Sequence, residues 1–292
     1  MKEITSDFVR KNLPKRPQNA NKGTMGTLLS ITGSYSMAGA SILSAKSALK
    51  TGVGLLRQVV PQSIYPIVAG AVYEPVFVTV EDSIDKTVSK NAVDYLLSLS
   101  KTSTAVLLGC GLKNTEDIQI LVERFICESE VPLIIDADGI NALSQHIDIL
   151  DKAKCEVVLT PHPKEFSRIS GLSVEDIEKD REKAVAVFTD RYKNITLVLK
   201  GNGTLVKRYG CETYINKTGN EGMAKGGSGD VLSGIISSLT AQGVETHISS
   251  LCGVYIHGLA GDIAKEKFTE ISMLPSDTVN CISEAFKKIK EN

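Results

Sequence analysis

A cluster of glycines stands immediately before a carboxylate in the stretch Asn220–Gly243, which reads NEGMAKGGSGDVLSGIISSLTAQG. Gly226, Gly227 and Gly229 precede Asp230, and the next apolar residues recur on one helical face: Val231, Leu232, Ile235, Ile236 and Leu239. This spacing predicts a helix whose free N–H groups and positive dipole end lie at the glycines. Because glycine has no Cβ, a phosphate can approach these amides closely. The stretch therefore predicts an anion hole.

Asp230 has two interpretations at this helix entrance. Aspartate is a preferred N-cap residue, and its carboxylate can simply accept a hydrogen bond from the first turn. A cap needs no preceding glycines, however, and a carboxylate beside an anion hole can take the proton of a hydroxyl that attacks phosphorus. We favour the second interpretation, in which Asp230 is catalytic. The chain contains no G-x-x-x-x-G-K-[ST] sequence, which excludes a Walker A loop.

A histidine lies between two prolines at the end of another apolar run, in TPHPKEF. Pro161 and Pro163 restrict the neighbouring backbone, so the imidazole of His162 is predicted to be held on an extended segment. His162 is either a ligand-binding residue or an ordinary surface histidine, and both interpretations stay open. Glu165 either contacts Mg²⁺ through water or is simply an acid of the first helical turn. No direct metal ligand is predicted.

A lysine precedes a segment with two glycines in LKGNGTLV. Asn-Gly is a strong hairpin signal, which explains the segment without any ligand. The alternative is that one side chain and four backbone groups hold the phosphate or ribose of a nucleotide: Lys200, Gly201, Asn202, Gly203 and Thr204.

Two further segments of small residues are ambiguous. Gly109 and Gly111 follow an apolar run, and Asp136 ends the next one, as in a dinucleotide-binding fingerprint. The match is weak because Asn114 stands where that fingerprint requires Gly or Ala. In SMAGA, Ala40 and its neighbours either permit close helix packing or leave room for a flat ligand.

Five apolar runs that end in turn residues place these motifs in a fold. The runs are continuous, which is typical of strands buried on both faces of a parallel sheet: Gly26–Gly33, Thr104–Gly111, Val131–Gly139, Cys155–Pro163 and Ile195–Gly203. Helical patterns separate them, so we predict an α/β fold, a three-layer αβα sandwich with a mostly parallel central sheet. After Gly203 the pattern predicts short antiparallel strands and then mostly helix. Ligands of such sheets bind beyond the carboxyl ends of the strands.

Composition narrows the functional class. The 292 residues carry a net charge of −1 and include 5% aromatic residues and no Trp, which argues against a nucleic-acid-binding surface. The sequence shows no signal peptide and no apolar run long enough to cross a membrane. Six cysteines form no CxxC pair, which favours the reduced thiols of a cytoplasmic protein. We find no linker and predict one domain over residues 1–292.

Four stretches in order resemble the ADP/ATP-dependent NAD(P)H-hydrate dehydratases of the ribokinase-like superfamily. They are KGTMGTLLSITGSYSMAGA, DADGINAL, LTPHPKEFSRISG and NKTGNEGMAKGGSGDVLSGII, and the similarity spans about Lys22 to Gly261. Kinases of the superfamily tend to carry N-x-x-E where this chain has His162-Pro-Lys-Glu165, which favours a dehydratase. The family often has Pro where Cys110 stands.

The resemblance implies roles for individual residues. Three residues would contact the hydrated nicotinamide nucleotide: Ala40, Gly111 and His162. Six would hold the adenine nucleotide: Lys200, Gly201, Asn202, Gly203, Thr204 and Gly229. Asp230 would be the catalytic acid/base and would also contact the hydrated nucleotide.

The resemblance also implies a reaction, the ADP-dependent dehydration of the S-epimer of hydrated NADH or NADPH (NADHX, NADPHX). AMP and phosphate would be released, Mg²⁺ would be the cofactor, and ATP is the alternative donor. We expect a separate NAD(P)H-hydrate epimerase, a homo-oligomer with a tetramer as the candidate state, and no nucleic-acid or membrane partner. Three alternatives stay open: a small-molecule kinase, an NAD(P)-dependent oxidoreductase and a non-catalytic nucleotide-binding module.

Overall fold

A ten-stranded sheet between two sets of helices forms the protein, of which the computed structural model describes residues 1–291. The strands are β1 (Lys2–Glu3), β2 (Thr27–Ile31), β3 (Leu55–Pro61), β4 (Val76–Val80), β5 (Ala105–Leu108), β6 (Leu133–Ile135), β7 (Val157–Leu159), β8 (Ile195–Leu199), β9 (Leu205–Arg208) and β10 (Tyr214–Ile215). The α-helices are α1 (Ser6–Asn12), α2 (Ala38–Thr51), α3 (Tyr65–Ala69), α4 (Val93–Ser100), α5 (Glu116–Glu128), α6 (Asp138–Leu143), α7 (Pro163–Ser170), α8 (Val174–Lys179), α9 (Arg181–Arg191), α10 (Ser228–Ala241), α11 (Thr246–Ser272) and α12 (Pro275–Glu291).

The strand order is β1-β10-β9-β8-β7-β6-β5-β2-β3-β4. The run from β8 to β4 is parallel throughout, whereas β9 is antiparallel to both of its neighbours. The five predicted apolar runs each contain one parallel strand, namely β2, β5, β6, β7 and β8. Strands β9 and β10 form the predicted antiparallel segment near one margin of the sheet. The predicted α/β fold with a mostly parallel sheet is confirmed.

Alternation along each central strand separates two hydrophobic cores. Leu28 and Leu107 face a core built with α1, α2, α10, α11 and α12. Their neighbours Leu29 and Leu108 face the other core, which the helices from α4 to α9 cover. Successive side chains of a strand point to opposite faces, so a strand buried on both faces must be apolar throughout. This geometry produces the three layers.

The prediction from sequence missed β1, β3 and β4. In β3, Arg57 and Gln58 interrupt the apolar run, so the segment lacks the continuous pattern of the other strands. Gln58 is nonetheless fully buried, because its amide donates to the hydroxyl groups of Thr32 and Ser41. Side-chain hydrogen bonds thus replace hydrophobicity at this position.

The longest helix, α11, is interrupted at Thr269, which has a φ of 65°. Beyond this break, the carbonyl oxygens of Ile271 and Met273 accept hydrogen bonds from the ammonium of Lys225. Lys225 immediately precedes the glycine cluster, so these bonds tie the cluster to the end of α11. Within residues 1–291, no helix is both long enough and apolar enough to cross a membrane.

Helices α2 and α10 touch through a glycine. A Cβ on Gly234 would lie 2.0 Å from Oγ of Ser47 and 2.4 Å from the carbonyl oxygen of Ser44. Gly234→Ala should therefore lower the free energy of unfolding by about 1–3 kcal/mol through overpacking, as measured by urea denaturation.

Gly39, in the first turn of α2, provides the matched control. A Cβ there would meet nothing within 4 Å. Gly39→Ala should leave stability unchanged or raise it by up to about 1 kcal/mol, because alanine restricts the unfolded chain more than glycine does. Equal effects of the two substitutions would show that helix contact does not explain Gly234.

Candidate active site

Most of the predicted site residues, together with Cys110 and Asp136, lie where the carboxyl ends of four parallel strands meet the N-terminus of α10. Cys110 lies just beyond β5, Asp136 directly follows β6, His162 comes shortly after β7, and Lys200 directly follows β8. The glycine cluster enters α10 beside them. This is the sheet edge at which open α/β folds bind ligands.

Helix α10 begins without a side-chain cap. Gly227 is its N-cap residue and has a φ of 102°, a left-handed conformation that favours glycine. Asp230 therefore does not cap the helix, and the interpretation of it as an N-cap is wrong. Across residues 1–291, the N–H groups of Gly226, Gly227 and Gly229 donate no hydrogen bond. These free donors at a helix N-terminus fit the predicted anion hole.

Two of the three glycines have a structural reason to lack a side chain, and the third has none. A Cβ on Gly227 would lie 2.6 Å from Cδ1 of Leu43, so packing excludes one there. A Cβ on Gly229 would lie 3.2 Å from Nζ of Lys200 and 3.5 Å from Oδ2 of Asp136. Gly226, by contrast, faces open space and has no left-handed φ. The packing of the chain therefore does not explain why this position lacks a side chain.

A buried ion pair lies under the helix entrance. Nζ of Lys200 is 2.7 Å from Oδ1 of Asp136, which is only 1% exposed, and Oδ2 accepts a hydrogen bond of 2.6 Å from Ser233 of α10. Burial alone would raise the pKa of Asp136, but Lys200 and Ser233 outweigh it and hold that pKa below its ordinary value. Burial likewise opposes the charge of Lys200, yet Asp136 and Glu165 keep its pKa raised.

Asp230 lies beside this pair. One oxygen each of Asp230 and Asp136 and the Sγ atom of Cys110 all lie within 4.8 Å of one another. Burial, and after it the charge of Asp136, raises the pKa of Asp230 to about 7. A carboxyl group with this pKa is suited to accept and return a proton near neutral pH.

His162 caps a helix. Its Nδ1 accepts hydrogen bonds from the N–H groups of Lys164 and Glu165, and Oε2 of Glu165 accepts the N–H of His162 in return. This reciprocal capping box begins α7 and fixes the imidazole. The predicted extended backbone at His162 is confirmed, with a φ of −80° and a ψ of 168°. The sequence analysis missed the capping role. Burial, and then Lys200, lowers the pKa of His162.

Two adjoining cavities open at this edge of the sheet. One has a volume of about 470 Å³, and its lining includes the six predicted nucleotide-binding residues: Lys200, Gly201, Asn202, Gly203, Thr204 and Gly229. The other, of about 440 Å³, is lined by residues that include Asp136, His162, Glu165, Gly226 and Asp230. Lys200, Gly201 and Gly229 line both cavities. The lysine–aspartate pair thus stands at the boundary between them.

Ala40 and Gly111 lie outside the lining of both cavities as residues 1–291 define them. They contact each other, because a Cβ on Gly111 would lie 2.7 Å from the Cβ of Ala40. Gly111 directly follows Cys110 and so lies close to Asp230. The structure brings this pair near the site but not to its surface.

The dinucleotide-binding pattern has a structural explanation. Gly109 has a φ of 126°, and a Cβ there would lie 2.0 Å from the carbonyl oxygen of Asp136. The carboxylate of Asp136 is engaged by Lys200 and Ser233. Gly109 therefore allows the ends of β5 and β6 to pack closely, and Asp136 links β6 to α10.

His257 of α11 is a residue that the sequence analysis missed. It lines the larger cavity, and its Nε2 atom is buried with no hydrogen-bond partner among residues 1–291. Burial, and then the charge of Lys200, lowers its pKa to about 4, so the ring is neutral at physiological pH. No motif surrounds His257, and a lone histidine in a helical pattern carries no signal of binding.

Several known proteins resemble this chain in sequence. A family model described as NAD(P)H-hydrate dehydratase matches residues 28–284. The bifunctional NAD(P)H-hydrate repair enzyme Nnr of Moorella thermoacetica is 33% identical over 99% of this chain and 54% of its own length. The ADP-dependent (S)-NAD(P)H-hydrate dehydratase of Neisseria meningitidis is 35% identical over 86% of this chain and 81% of its own length. The chain spans about half the length of the bifunctional relatives.

Solved structures show the same relationship. The ADP/ATP-dependent NAD(P)H-hydrate dehydratase from Bacillus subtilis, co-crystallized with ATP/Mg²⁺, has a TM-score of 0.86 at 28% identity, over 99% of this chain and 98% of that one. A hydroxyethylthiazole kinase from Pyrococcus horikoshii has a TM-score of 0.55 at 13% identity, over 98% of this chain and 91% of that one. The likeness to the kinase shows a common fold alone.

Gly226 offers a direct test of the anion hole. Gly226→Val would place a branched side chain in the open space beside the free amides without straining the backbone. We expect the affinity for ADP, measured by calorimetry, to fall at least about tenfold, because a phosphate could no longer approach these donors. The free energy of unfolding should change little. Undiminished ADP binding in a folded variant would contradict the anion hole.

Proposed function

Because the chain belongs to the NAD(P)H-hydrate dehydratase family, we propose that it performs the ADP-dependent dehydration of the S-epimer of NADHX and NADPHX. The observation that carries the proposal is the position of Asp230. A carboxyl group with a pKa of about 7 lines the smaller cavity together with the glycines of the helix entrance and with Lys200, which also lines the larger cavity. The larger cavity would take the nucleotide, and the smaller one the hydrated nicotinamide.

The nucleotide would bind along the β8–β9 connection. The backbone N–H groups of Gly201, Asn202, Gly203 and Thr204 donate no hydrogen bond within residues 1–291, so they are available to phosphate and ribose oxygens. Lys200 adds a positive charge at the end nearest Asp230. The free amides of the glycine cluster would hold the terminal phosphate and stabilise its negative charge during transfer.

The site fits a magnesium ion that the nucleotide carries with it. Asp136 is committed to Lys200, and one oxygen of Glu165 accepts the N–H of His162, so these carboxylates do not form an open ligand set. Glu165 would reach the ion through water. When bound, Mg²⁺ would neutralise phosphate charge.

The proposed reaction begins at the C6 hydroxyl of the hydrated ring. The carboxylate of Asp230 takes the hydroxyl proton, and the oxygen attacks the terminal phosphate of ADP, which releases AMP. The electron pair of the ring nitrogen then expels the new phosphate group from C6, and loss of a proton from C5 to solvent restores the C5–C6 double bond of NADH or NADPH. The net change converts hydrate and ADP into reduced cofactor, AMP and phosphate.

The remaining assignments also belong to this proposal. His162 lines the smaller cavity and would contact the hydrated nucleotide there. Ala40 and Gly111 would contact the same substrate after a local adjustment, since they lie behind that surface. An NAD(P)H-hydrate epimerase would supply the S-epimer in the cytoplasm, and the working form would be a homo-oligomer, with a tetramer as the candidate.

The reaction can be observed directly. When hydrate, Mg²⁺ and ADP are mixed with the protein, the near-ultraviolet absorbance of the reduced nicotinamide should return, with one AMP and one phosphate formed for each cofactor restored. A stable phosphorylated product instead would indicate a kinase. Restoration at the same rate without any nucleotide would contradict phosphoryl transfer.

Asp230→Asn tests the catalytic assignment. The amide keeps the shape but cannot accept a proton, so kcat should fall by about 10²–10⁴-fold. ADP affinity should persist or improve, because a negative charge near the phosphates is removed. In the parent, kcat/KM should rise as the pH increases through about 7, since the ionised form of Asp230 is the active one.

Stability provides the control for this variant. The pKa of Asp230 is raised in the folded state, so the folded protein binds more protons than the unfolded one between about pH 4 and 7. The contribution of Asp230 to stability therefore declines as the pH rises through that window. Asp230→Asn should unfold no more easily than the parent at pH 8, and a folded variant with parental turnover would overturn the assignment.

A further inference from the structure

Asp136 is a buried charge to which the proposed reaction gives no role. It is 1% exposed and lies at the junction of β6, β8 and α10. Its two oxygens have separate partners, the ammonium of Lys200 on Oδ1 and the hydroxyl of Ser233 on Oδ2. An aspartate this deeply buried is costly unless it is paired.

The environment of Asp136 includes a second carboxylate. Asp230 and Asp136 each place an oxygen within 4.8 Å of the other and of Sγ of Cys110. Two carboxylates at this separation in a half-enclosed site resist simultaneous ionisation. One of the two carboxyl groups therefore ionises first, and the pKa of the other is raised.

The surrounding groups decide which of the two holds the proton. Lys200 contacts Asp136 directly, so the ion pair favours the ionised form of Asp136. The charged and polar groups that act on Asp230 are Asp136, Cys110, Lys200 and Asp138. Burial and the two acids disfavour the negative charge of Asp230, and they outweigh Cys110 and Lys200, which favour it.

We propose that Asp136 is a positioning residue that sets the protonation state of Asp230 and fixes Lys200 between the two cavities. Its charge makes Asp230 a stronger base, and its contact holds the ammonium beside the nucleotide. The consequence for turnover rests on the proposed function. The electrostatic coupling of the two carboxylates does not, because it follows from their positions alone.

The coupling can be measured on the free protein without any substrate. The carboxyl carbon of Asp230 is followed by NMR through a pH titration in the parent and in Asp136→Asn. The titration midpoint of Asp230 should fall by at least about one pH unit in the variant, because a neighbouring negative charge is lost. An unchanged midpoint in a folded variant would overturn the proposal.

Two matched variants separate charge from structure. Asp136→Glu keeps the negative charge and should restore a midpoint close to that of the parent. Ser233→Ala removes one hydrogen bond from Asp136 but keeps the carboxylate and Lys200, so the midpoint should move by less than about half a pH unit. A shift in Ser233→Ala as large as in Asp136→Asn would show that local structure, and not charge, determines the midpoint.

Lys200→Gln provides an independent result if Asp136→Asn does not fold. The ammonium holds Asp136 ionised, so its removal either leaves that negative charge unbalanced, which raises the midpoint of Asp230, or protonates Asp136, which lowers it. A midpoint that does not move in the folded variant would contradict the proposal. In turnover, the rising limb of the kcat/KM profile should move to lower pH in Asp136→Asn. The midpoint of Asp230 could shift as expected while the protein shows no dehydratase activity. That result would disprove the proposed function but would establish the coupling of the two carboxylates.

Discussion

The buried ion pair between Lys200 and Asp136 is the contact around which the site is assembled. It joins β8 to β6 across the intervening β7, and Ser233 extends it to α10. A buried pair repays its desolvation only when the remaining polar atoms also find partners, and here both oxygens of the carboxylate do. Because Gly229 has no side chain, the N-terminus of α10 packs closely against this ion pair. The helix N-terminus and the sheet edge therefore meet at one fixed point.

The proposed phosphate site has a source of positive electrostatic potential on each of two sides. On the side of the helix, it comes from N–H groups that α10 leaves without acceptors, and it cannot be titrated away. On the side of the sheet, it comes from the ammonium of Lys200, which Asp136 neutralises in part. Asp230 lines the same cavity as both, and burial raises its pKa to about 7. A phosphoryl transfer that begins with the loss of a proton needs fixed positive groups that hold the phosphate and one group that can take up the proton.

Local patterns in the sequence predict the parts of this site but not the contacts between them. The apolar runs indicate the parallel strands, and the glycine cluster indicates the helix entrance, because both depend on neighbouring residues. The pairing of Asp136 with Lys200 joins residues 64 positions apart and depends on the strand order, which no local pattern specifies. His257 reaches its cavity through the packing of α11 alone. The capping role of His162 is hidden because histidine is not among the preferred cap residues.

The contact of α2 with α10 through Gly234 has a mechanical consequence. Two helices whose backbones approach this closely cannot slide past each other without collision, so they behave as one stiff body. Ala40 lies at one end of that body and Asp230 at the corresponding end of the other helix. The distance between Ala40, which lies behind the smaller cavity, and Asp230, which lines it, is thereby held constant. Any closing motion around the ligands must come from the surrounding loops and the β8–β9 connection, outside this rigid unit.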